Sequence, residues 1–138
     1  MGCALGRGRL IVDANVLVSA LLGRSLPLLA DIRSRGIELL IPQHQFGESR
    51  LIVARQGWST DRFAHVSATV LEVLPTEVYA AREADARDRL EPRGQPDWPV
   101  LAAALQLDDA IWSNDRDFFG VGVSVWKTTN IGLTNAHS

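Results

Sequence analysis

Four acidic residues lie where a folded chain could bring their carboxylates together. Asp13 directly follows the apolar segment 10–12, and Asp115 follows a second short apolar segment by two residues. Glu48 and Asp97 fall early in two predicted helices. Carboxylates at close range repel one another, and a hard divalent cation with oxygen ligands relieves that repulsion. The set therefore predicts a Mg²⁺ or Mn²⁺ site that could activate water for attack on a phosphodiester.

Each acid taken alone also has an ordinary structural interpretation. Asp97 has a position typical of a helix N-cap. Asp115 and Asp117 are typical of turns, and Glu48 fits a solvent-facing helix surface. Asp13 could serve in a turn as well. The prediction of a metal centre therefore depends on the whole set and on no single acid.

The elements that would position these acids alternate between strand-like and helix-like segments, which predicts an α/β fold with a parallel sheet. The predicted strands cover residues 10–12, 37–41, 72–74, 110–113 and 123–126. The predicted helices cover 15–22, 25–36, 42–57, 59–70, 76–90 and 98–107, with a loop over 91–96. Ligands of open parallel sheets bind beyond the carboxyl ends of the strands, so acids that follow different strands can meet there.

The length and composition are typical of one compact domain. The chain has 138 residues, of which 46% are hydrophobic and 22% charged. We expect a single domain over residues 9–133, a flexible N-terminal lead-in over 1–8 and a frayed C-terminus over 134–138. A single cysteine excludes an internal disulfide, and no apolar run approaches the roughly 18 residues of a membrane helix. We therefore expect a cytoplasmic protein without a membrane partner.

The charge pattern argues against nucleic-acid binding by bulk positive charge. The formal net charge is −2 and the estimated pI about 5.9, whereas such binders are basic. The basic residues are 13 arginines and one lysine. Arginine grips phosphate with paired hydrogen bonds, although a genome-wide codon bias explains the same excess. If RNA is the substrate, metal ions and local arginines must offset the acidic site.

Four segments resemble, in order, the motifs of the PIN-domain family. Residues 10–17 are similar to the family's opening, an apolar strand followed by Asp, any residue and Asn. Residues 46–48 resemble the second motif, a lone Glu early on a helix, and 97–104 the third, an Asp before a helix of small residues. Residues 112–118 resemble the fourth, in which Ser or Thr precedes the acid by two places. The resemblance covers about residues 9–130 and implies a three-layer α/β/α PIN-like fold with a central parallel sheet of about five strands.

The resemblance also implies an active site. The residues implied to bind Mg²⁺ or Mn²⁺ and to act in catalysis are Asp13, Glu48, Asp97 and Asp115, with Asp117 as a further ligand or a supporting group. Asn15 and Ser113 would support them by hydrogen bonding. Arg116 is a candidate contact to RNA phosphate, with a surface ion pair as an equal alternative. In one departure from many relatives, Gln95-Pro96 precede Asp97 where a further acid is common.

The implied activity is metal-dependent hydrolysis of RNA by an endoribonuclease. Many small members of the family are VapC-type toxins, so the resemblance further implies an antitoxin partner and a homodimer. One alternative is a phosphatase with an aspartyl nucleophile, but Asn15 stands where that chemistry needs a second Asp, and Lys127 is the only lysine. The other alternative is a non-catalytic module that binds RNA or an antitoxin, because the family includes inactive members.

Overall fold

The computed structural model describes residues 3–4, 8–23 and 26–135. Within them the strands are β1 (Cys3–Ala4), β2 (Arg9–Val12), β3 (Glu38–Pro42), β4 (Glu72–Leu74), β5 (Ala110–Trp112), β6 (Val125–Trp126) and β7 (Thr134–Asn135). Strands β2 to β6 form one sheet in the order β4-β3-β2-β5-β6, and all of its pairings are parallel. The five-stranded parallel sheet predicted from the sequence is therefore confirmed.

Helices connect successive strands of the sheet. In chain order they are α1 (Ala14–Leu22), α2 (Leu26–Ser34), α3 (Gln43–Arg55), α4 (Thr60–Ala68), α5 (Thr76–Tyr79), α6 (Glu83–Arg89) and α7 (Trp98–Leu107). Short 3-10 helices cover Ala80–Arg82, Pro92–Asp97, Arg116–Phe118 and Ile131–Leu133. Among the described residues, no single helix is long and apolar enough to cross a membrane; α1 and α2 reach that length and composition only together, across a bend of 113°.

Alternating strand residues build a separate core on each face of the sheet. Leu10, Val12 and Trp112 pack with residues of α1, α2, α3 and α4 on one face. Ile11 and Ile111 pack with residues of α5, α6 and α7 on the other. All five of these side chains are fully buried. The result is the three-layer α/β/α arrangement expected from the sequence.

Three predicted elements differ in detail from the structure. The helix predicted over 76–90 is interrupted by the 3-10 turn Ala80–Arg82, and the loop predicted over 91–96 is largely the 3-10 helix Pro92–Asp97. Over a few residues the 3-10 and α-helical side-chain periods are too similar for a sequence pattern to separate. The last sheet strand begins at Val125 rather than 123, because Gly120 and Gly122 have φ angles of +77° and +94° that keep the preceding backbone in turns.

The described residues near both chain ends are paired, whereas the sequence predicts free ends there. Strand β1 pairs in parallel with β7, and the carbonyl of Gly8 accepts a hydrogen bond from the backbone N–H of Glu38 at 2.8 Å. These contacts are backbone pairings, which side-chain patterns do not reveal. The remaining positions of the predicted lead-in and frayed end, 1–2, 5–7 and 136–138, lie outside the described residues.

Candidate metal centre

The sheet order creates a cleft at the carboxyl ends of β2 and β5. From β2 the chain passes through α1 and α2 to β3 on one side, while β5 pairs with the other side of β2. Such a reversal of strand order opens a crevice beyond the strand ends, where ligands of α/β folds bind. A cleft of about 270 Å³ occurs there, and its lining residues are Asp13, Asn15, Val16, Ser19, Asn114 and Asp115.

Asp13 is fixed at the base of this cleft by its own hydrogen bonds. It is the N-cap of α1, and its Oδ1 accepts from the backbone N–H of Val16 at 2.8 Å. Its Oδ2 accepts a short hydrogen bond from the hydroxyl of Ser113. Burial raises the pKa of Asp13, these two hydrogen bonds oppose the rise, and the charge of Asp115 adds to it. The carboxylate is thus buried, oriented and close to another acid.

Ser113 links the acid of β2 to the acid that follows β5. Its side chain is fully buried, and its Oγ both donates to Asp13 and accepts from the backbone N–H of Asp115 at 3.0 Å. One hydroxyl therefore sets the relative positions of two acids 102 residues apart in the chain. The supporting role that the family resemblance implies for Ser113 stays a prediction.

Gln45 makes a second link, which the sequence analysis missed. Its Oε1 accepts from the backbone N–H of Ala14 at 2.8 Å, and its Nε2 donates to Asp97 Oδ1 at 3.4 Å. Gln45, Ser49 and Val53 are the buried residues of α3, spaced four apart. That spacing marks one helix face, and a glutamine on an inward face was the available sequence signal.

Asp97, Asp115 and Asp117 form a close group of acids at the site. Each offers a carboxylate oxygen within 4.8 Å of the oxygens offered by the other two. Asp97 occupies the N-cap position of α7, but its side chain makes no capping hydrogen bond, so the N-cap interpretation from the sequence is wrong at the level of the side chain. Burial raises the pKa of Asp97 to about 6, against the hydrogen bond from Gln45 and with further repulsion from neighbouring acids.

Asp117 is held against the cluster from two sides. Its backbone N–H donates to Asp115 Oδ1 at 2.9 Å. The backbone of Gly94 approaches so closely that a β-carbon there would lie 2.9 Å from the Asp117 Cβ. Arg93 donates to Asp117 Oδ1 from Nε at 3.2 Å and from Nη2 at 3.0 Å. The segment before Asp97 therefore packs directly on the turn that carries the other two acids.

The matching family model is described as "PIN domain" and covers residues 11–136. The chain belongs to the PIN-domain family. Among solved structures, this PIN domain is similar to VapBC2 from Rickettsia felis bound to a promoter DNA fragment, with a TM-score of 0.68, 13% identity and coverage of 86% of this chain and 98% of that one. It is also similar to a toxin–antitoxin complex from Klebsiella pneumoniae, with a TM-score of 0.63, 17% identity and coverage of 85% of this chain and 95% of that one. A third similar structure is FitAcB from Neisseria gonorrhoeae, with a TM-score of 0.57, 21% identity and coverage of 85% of this chain and 96% of that one. At these identities the likeness supports the fold, and the comparison with curated proteins gives no match.

The remaining predicted site residues of this PIN domain lie around the three-acid group. Asp13 and Glu48 are outside that group, but the charge of each raises the pKa of Asp97. Glu48 is exposed on α3, and Asn15 is exposed in the lining of the cleft. Arg116 is exposed and has no ion pair with an acid among the described residues. The fold thus brings the predicted acids close enough for their charges to interact. Asp117, which the motifs gave only as a further ligand or a supporting group, belongs to the three-acid group itself.

The donor set fits a hard divalent cation. The three grouped carboxylates are each partly buried, and all of the donor atoms are oxygens, the ligand type that Mg²⁺ and Mn²⁺ prefer. Burial and the charges of neighbouring acids raise the pKa of Asp97, so its negative charge is disfavoured in the protein alone. Asp97, Asp115 and Asp117 could therefore hold the ion, with Asp13 beside them.

The phosphatase alternative is less compatible with this arrangement. It requires a lysine near the phosphate, and Lys127, the only lysine of the chain, forms no ion pair with an acid among the described residues. It also requires a second Asp where Asn15 stands. These two features, together with membership of the PIN-domain family, disfavour the phosphatase alternative.

Proposed function

We propose that this PIN domain is a Mg²⁺- or Mn²⁺-dependent endoribonuclease that hydrolyses RNA phosphodiester bonds. The observation that carries the proposal is the group formed by Asp97, Asp115 and Asp117, with oxygens within 4.8 Å of one another. The group lies at the carboxyl edge of a parallel sheet, the ligand-binding edge of such folds. Its carboxylates repel one another, and a bound divalent cation would offset that repulsion.

Some side chains of the site would bind the cation, and others orient the acids around it. When bound, the cation would activate water and stabilise negative charge on the phosphate oxygens. Asp97, Asp115 and Asp117 would hold it. Ser113 fixes the direction of Asp13 at the base of the cleft. Asn15, which is exposed in the lining of the cleft, and Glu48, which is exposed on α3, would contact the water or the substrate.

The deciding experiment is cleavage of a mixed RNA pool by the purified protein. We expect cleavage in Mg²⁺ or Mn²⁺, none in EDTA, and a loss of about 100-fold or more in the Asp97→Asn variant, the size expected when a group that stabilises the transition state is removed. Mass spectrometry of the fragments should give 5′-phosphate and 3′-hydroxyl ends, which attack by the RNA's own 2′-hydroxyl would not produce.

Asp88→Asn is the matched control. Asp88 is exposed on α6, its side chain makes no hydrogen bond or ion pair among the described residues, and its substitution removes the same charge. It should cleave RNA like the wild type. Cleavage that persists in EDTA, or equal loss in both variants, would contradict the proposed metal centre. Metal binding without cleavage would instead favour a non-catalytic RNA- or antitoxin-binding module.

We further propose that the protein is the toxin of a toxin–antitoxin pair, acting on RNA in the cytoplasm. The support is the similarity to solved structures described as VapBC2, a toxin–antitoxin complex and FitAcB. We expect growth arrest on expression of the wild type and no arrest with Asp97→Asn, and rescue by co-expression of a short neighbouring reading frame. Light scattering should give a homodimer of twice the 15.1 kDa chain mass.

A further inference from the structure

We propose that Arg93 binds an RNA phosphate at the rim of the metal centre; this inference rests on the proposed ribonuclease function. Arg93 lies in the 3-10 helix that leads to Asp97. Its Nε and Nη2 both donate to Asp117 Oδ1, at 3.2 and 3.0 Å. Because Asp117 belongs to the three-acid group, the guanidinium lies directly beside the place where the cation and the scissile phosphate would meet.

The Arg93–Asp117 pair differs from the three ion pairs formed within helices of the described residues; Arg9–Asp109 shares its buried acid, but the Arg9 side chain is only 28% exposed. The Arg93 side chain is 78% exposed, while that of Asp117 is 9% exposed. In the helical pairs Arg35–Asp31, Arg87–Glu83 and Arg89–Asp85, both partners are between 36% and 51% exposed. In those three helical pairs, water screens both charges. In the Arg93–Asp117 pair, the Asp117 side chain is largely buried within the three-acid group and the Arg93 side chain extends into solvent.

The guanidinium keeps donors available for a second partner. Arginine has five N–H donors, and Asp117 receives one from Nε and one from Nη2, both on the same oxygen. Within the described part of the chain, no acceptor pairs with Nη1 of Arg93. The remaining donors suit the non-bridging oxygens of a phosphate, which arginine binds through paired, charge-assisted hydrogen bonds.

The negative charge of the site also favours Arg93 as the residue that binds phosphate. Two of the five site acids, Asp13 and Asp115, line the cleft, and the other three, Glu48, Asp97 and Asp117, lie near them; together they repel an approaching phosphate. Among the described residues, Arg93 is the one cation that forms an ion pair with any of the five. Arg116, the candidate from the sequence, is adjacent to Asp115 in the chain but forms no such pair. The geometry therefore favours Arg93 over Arg116 as the phosphate-binding residue.

The test compares Arg93→Ala and Arg93→Lys with the control Arg33→Ala in two binding assays; Arg33 is exposed in the last turn of α2, outside the site. Affinity for a fluorescent single-stranded RNA is measured by anisotropy at several salt concentrations, with Ca²⁺ in place of Mg²⁺ and gels to verify that the RNA stays intact. Affinity for Mn²⁺ is measured by calorimetry without RNA. In Arg93→Ala we expect RNA affinity to fall and Mn²⁺ affinity to rise, whereas general damage to the fold would lower both.

For Arg93→Ala we expect RNA affinity to fall about tenfold, the size of one charge-assisted contact, and the slope of log K against log salt to fall by about 0.7. Mn²⁺ should bind about threefold more tightly, because a neighbouring positive charge is gone. Arg93→Lys should recover most of the salt slope and only part of the affinity. Arg33→Ala should leave both affinities unchanged.

Different results identify which idea fails. Unchanged RNA affinity in Arg93→Ala, or weaker binding of both RNA and Mn²⁺, overturns the inference whether or not the wild type cleaves RNA. If the wild type cleaves nothing in Mg²⁺ or Mn²⁺ but Arg93→Ala still loses RNA binding and gains Mn²⁺ affinity, the phosphate contact is supported and the proposed hydrolysis is overturned. In the active enzyme, the Arg93→Ala defect should appear mainly in KM.

Discussion

Replacing Asp97 with Asn should stabilise the metal-free protein and remove its response to metal. Asn keeps the side-chain oxygen that accepts from Gln45 Nε2 and removes the charge. The negative charge of Asp97 is unfavourable in the folded protein because of burial and because of repulsion by Asp115, Asp13 and Glu48. The same charge is needed to hold a cation. Stability without metal and affinity for metal should therefore change in opposite directions.

The size of the stability change follows from the pKa of Asp97. The fold raises it from 3.8 to about 6. A difference of that size corresponds to at most about 3 kcal/mol at neutral pH. Asp97 is only half-buried and water screens its charge, so we expect about 1 kcal/mol. For a domain of this length that raises Tm by about 4 °C.

The pH dependence gives an independent check of the same reasoning. An acid whose pKa is higher in the folded than in the unfolded protein binds its proton more tightly when folded. Its protonated form therefore stabilises the fold fully below about pH 4, and this contribution is lost as the pH rises through about 6. Burial raises the pKa of Asp13 in the same direction. We expect the metal-free wild type to become less stable between pH 4 and pH 7, and Asp97→Asn to lose about 1 kcal/mol less over that range.

The assay is urea unfolding in EDTA and in Mn²⁺, at pH 4.5 and pH 7. Asp88→Asn is the control, because it removes an exposed carboxylate outside the site. The wild type at pH 7 should be stabilised by Mn²⁺, and the Asp97→Asn variant should show little stabilisation. An Asp97→Asn protein that is less stable than the wild type in EDTA at pH 7 would refute the argument that this carboxylate carries uncompensated charge.

Two further substitutions test the parts that position the acids. Gly94→Ala should lower the free energy of unfolding by about 1–3 kcal/mol and weaken Mn²⁺ binding, because the added Cβ would lie 2.9 Å from the Asp117 Cβ. Gly47→Ala is the control: its added Cβ meets nothing within 4 Å, and it should raise the free energy of unfolding by roughly 0.5–1 kcal/mol because Gly47 lies within a helix. Ser113→Ala should cost about 1–3 kcal/mol, because it removes the hydroxyl donor to buried Asp13, and it should also weaken Mn²⁺ binding. Urea unfolding and calorimetry measure both effects.

The buried hydroxyl of Ser67 provides the control for Ser113. Ser67 donates to the carbonyl of Phe63 at 2.7 Å in α4, away from the acids. Ser67→Ala should lower stability and leave Mn²⁺ affinity unchanged. If Ser113→Ala and Ser67→Ala affect Mn²⁺ binding equally, Ser113 has no specific role at the centre. A Gly94→Ala protein with unaltered Mn²⁺ affinity would show that Asp117 is not a ligand.

Much of the fold could be predicted from the sequence because it depends on local patterns. Short apolar runs predicted the strands, and their alternation with helical segments predicted parallel pairing. The helix over 98–107 was predicted at its observed bounds, since its residues are apolar and Pro99 fits the first turn. The break at Ala80–Arg82 was not predicted, because local tightening of a helix leaves little trace in side-chain spacing.

The sequence by itself determined the chemical identity of the site, and only the tertiary structure decided how its members are arranged. Asp13 and Asp115 were predicted from their positions after strands, since strand ends share one edge of a parallel sheet. The closeness of Asp117 to Asp97, the link through Gln45 and the position of Arg93 all depend on how the Pro92–Asp97 segment and α3 pack on the turn after β5. Contacts between segments distant in the chain are set by packing, and local side-chain patterns do not encode them.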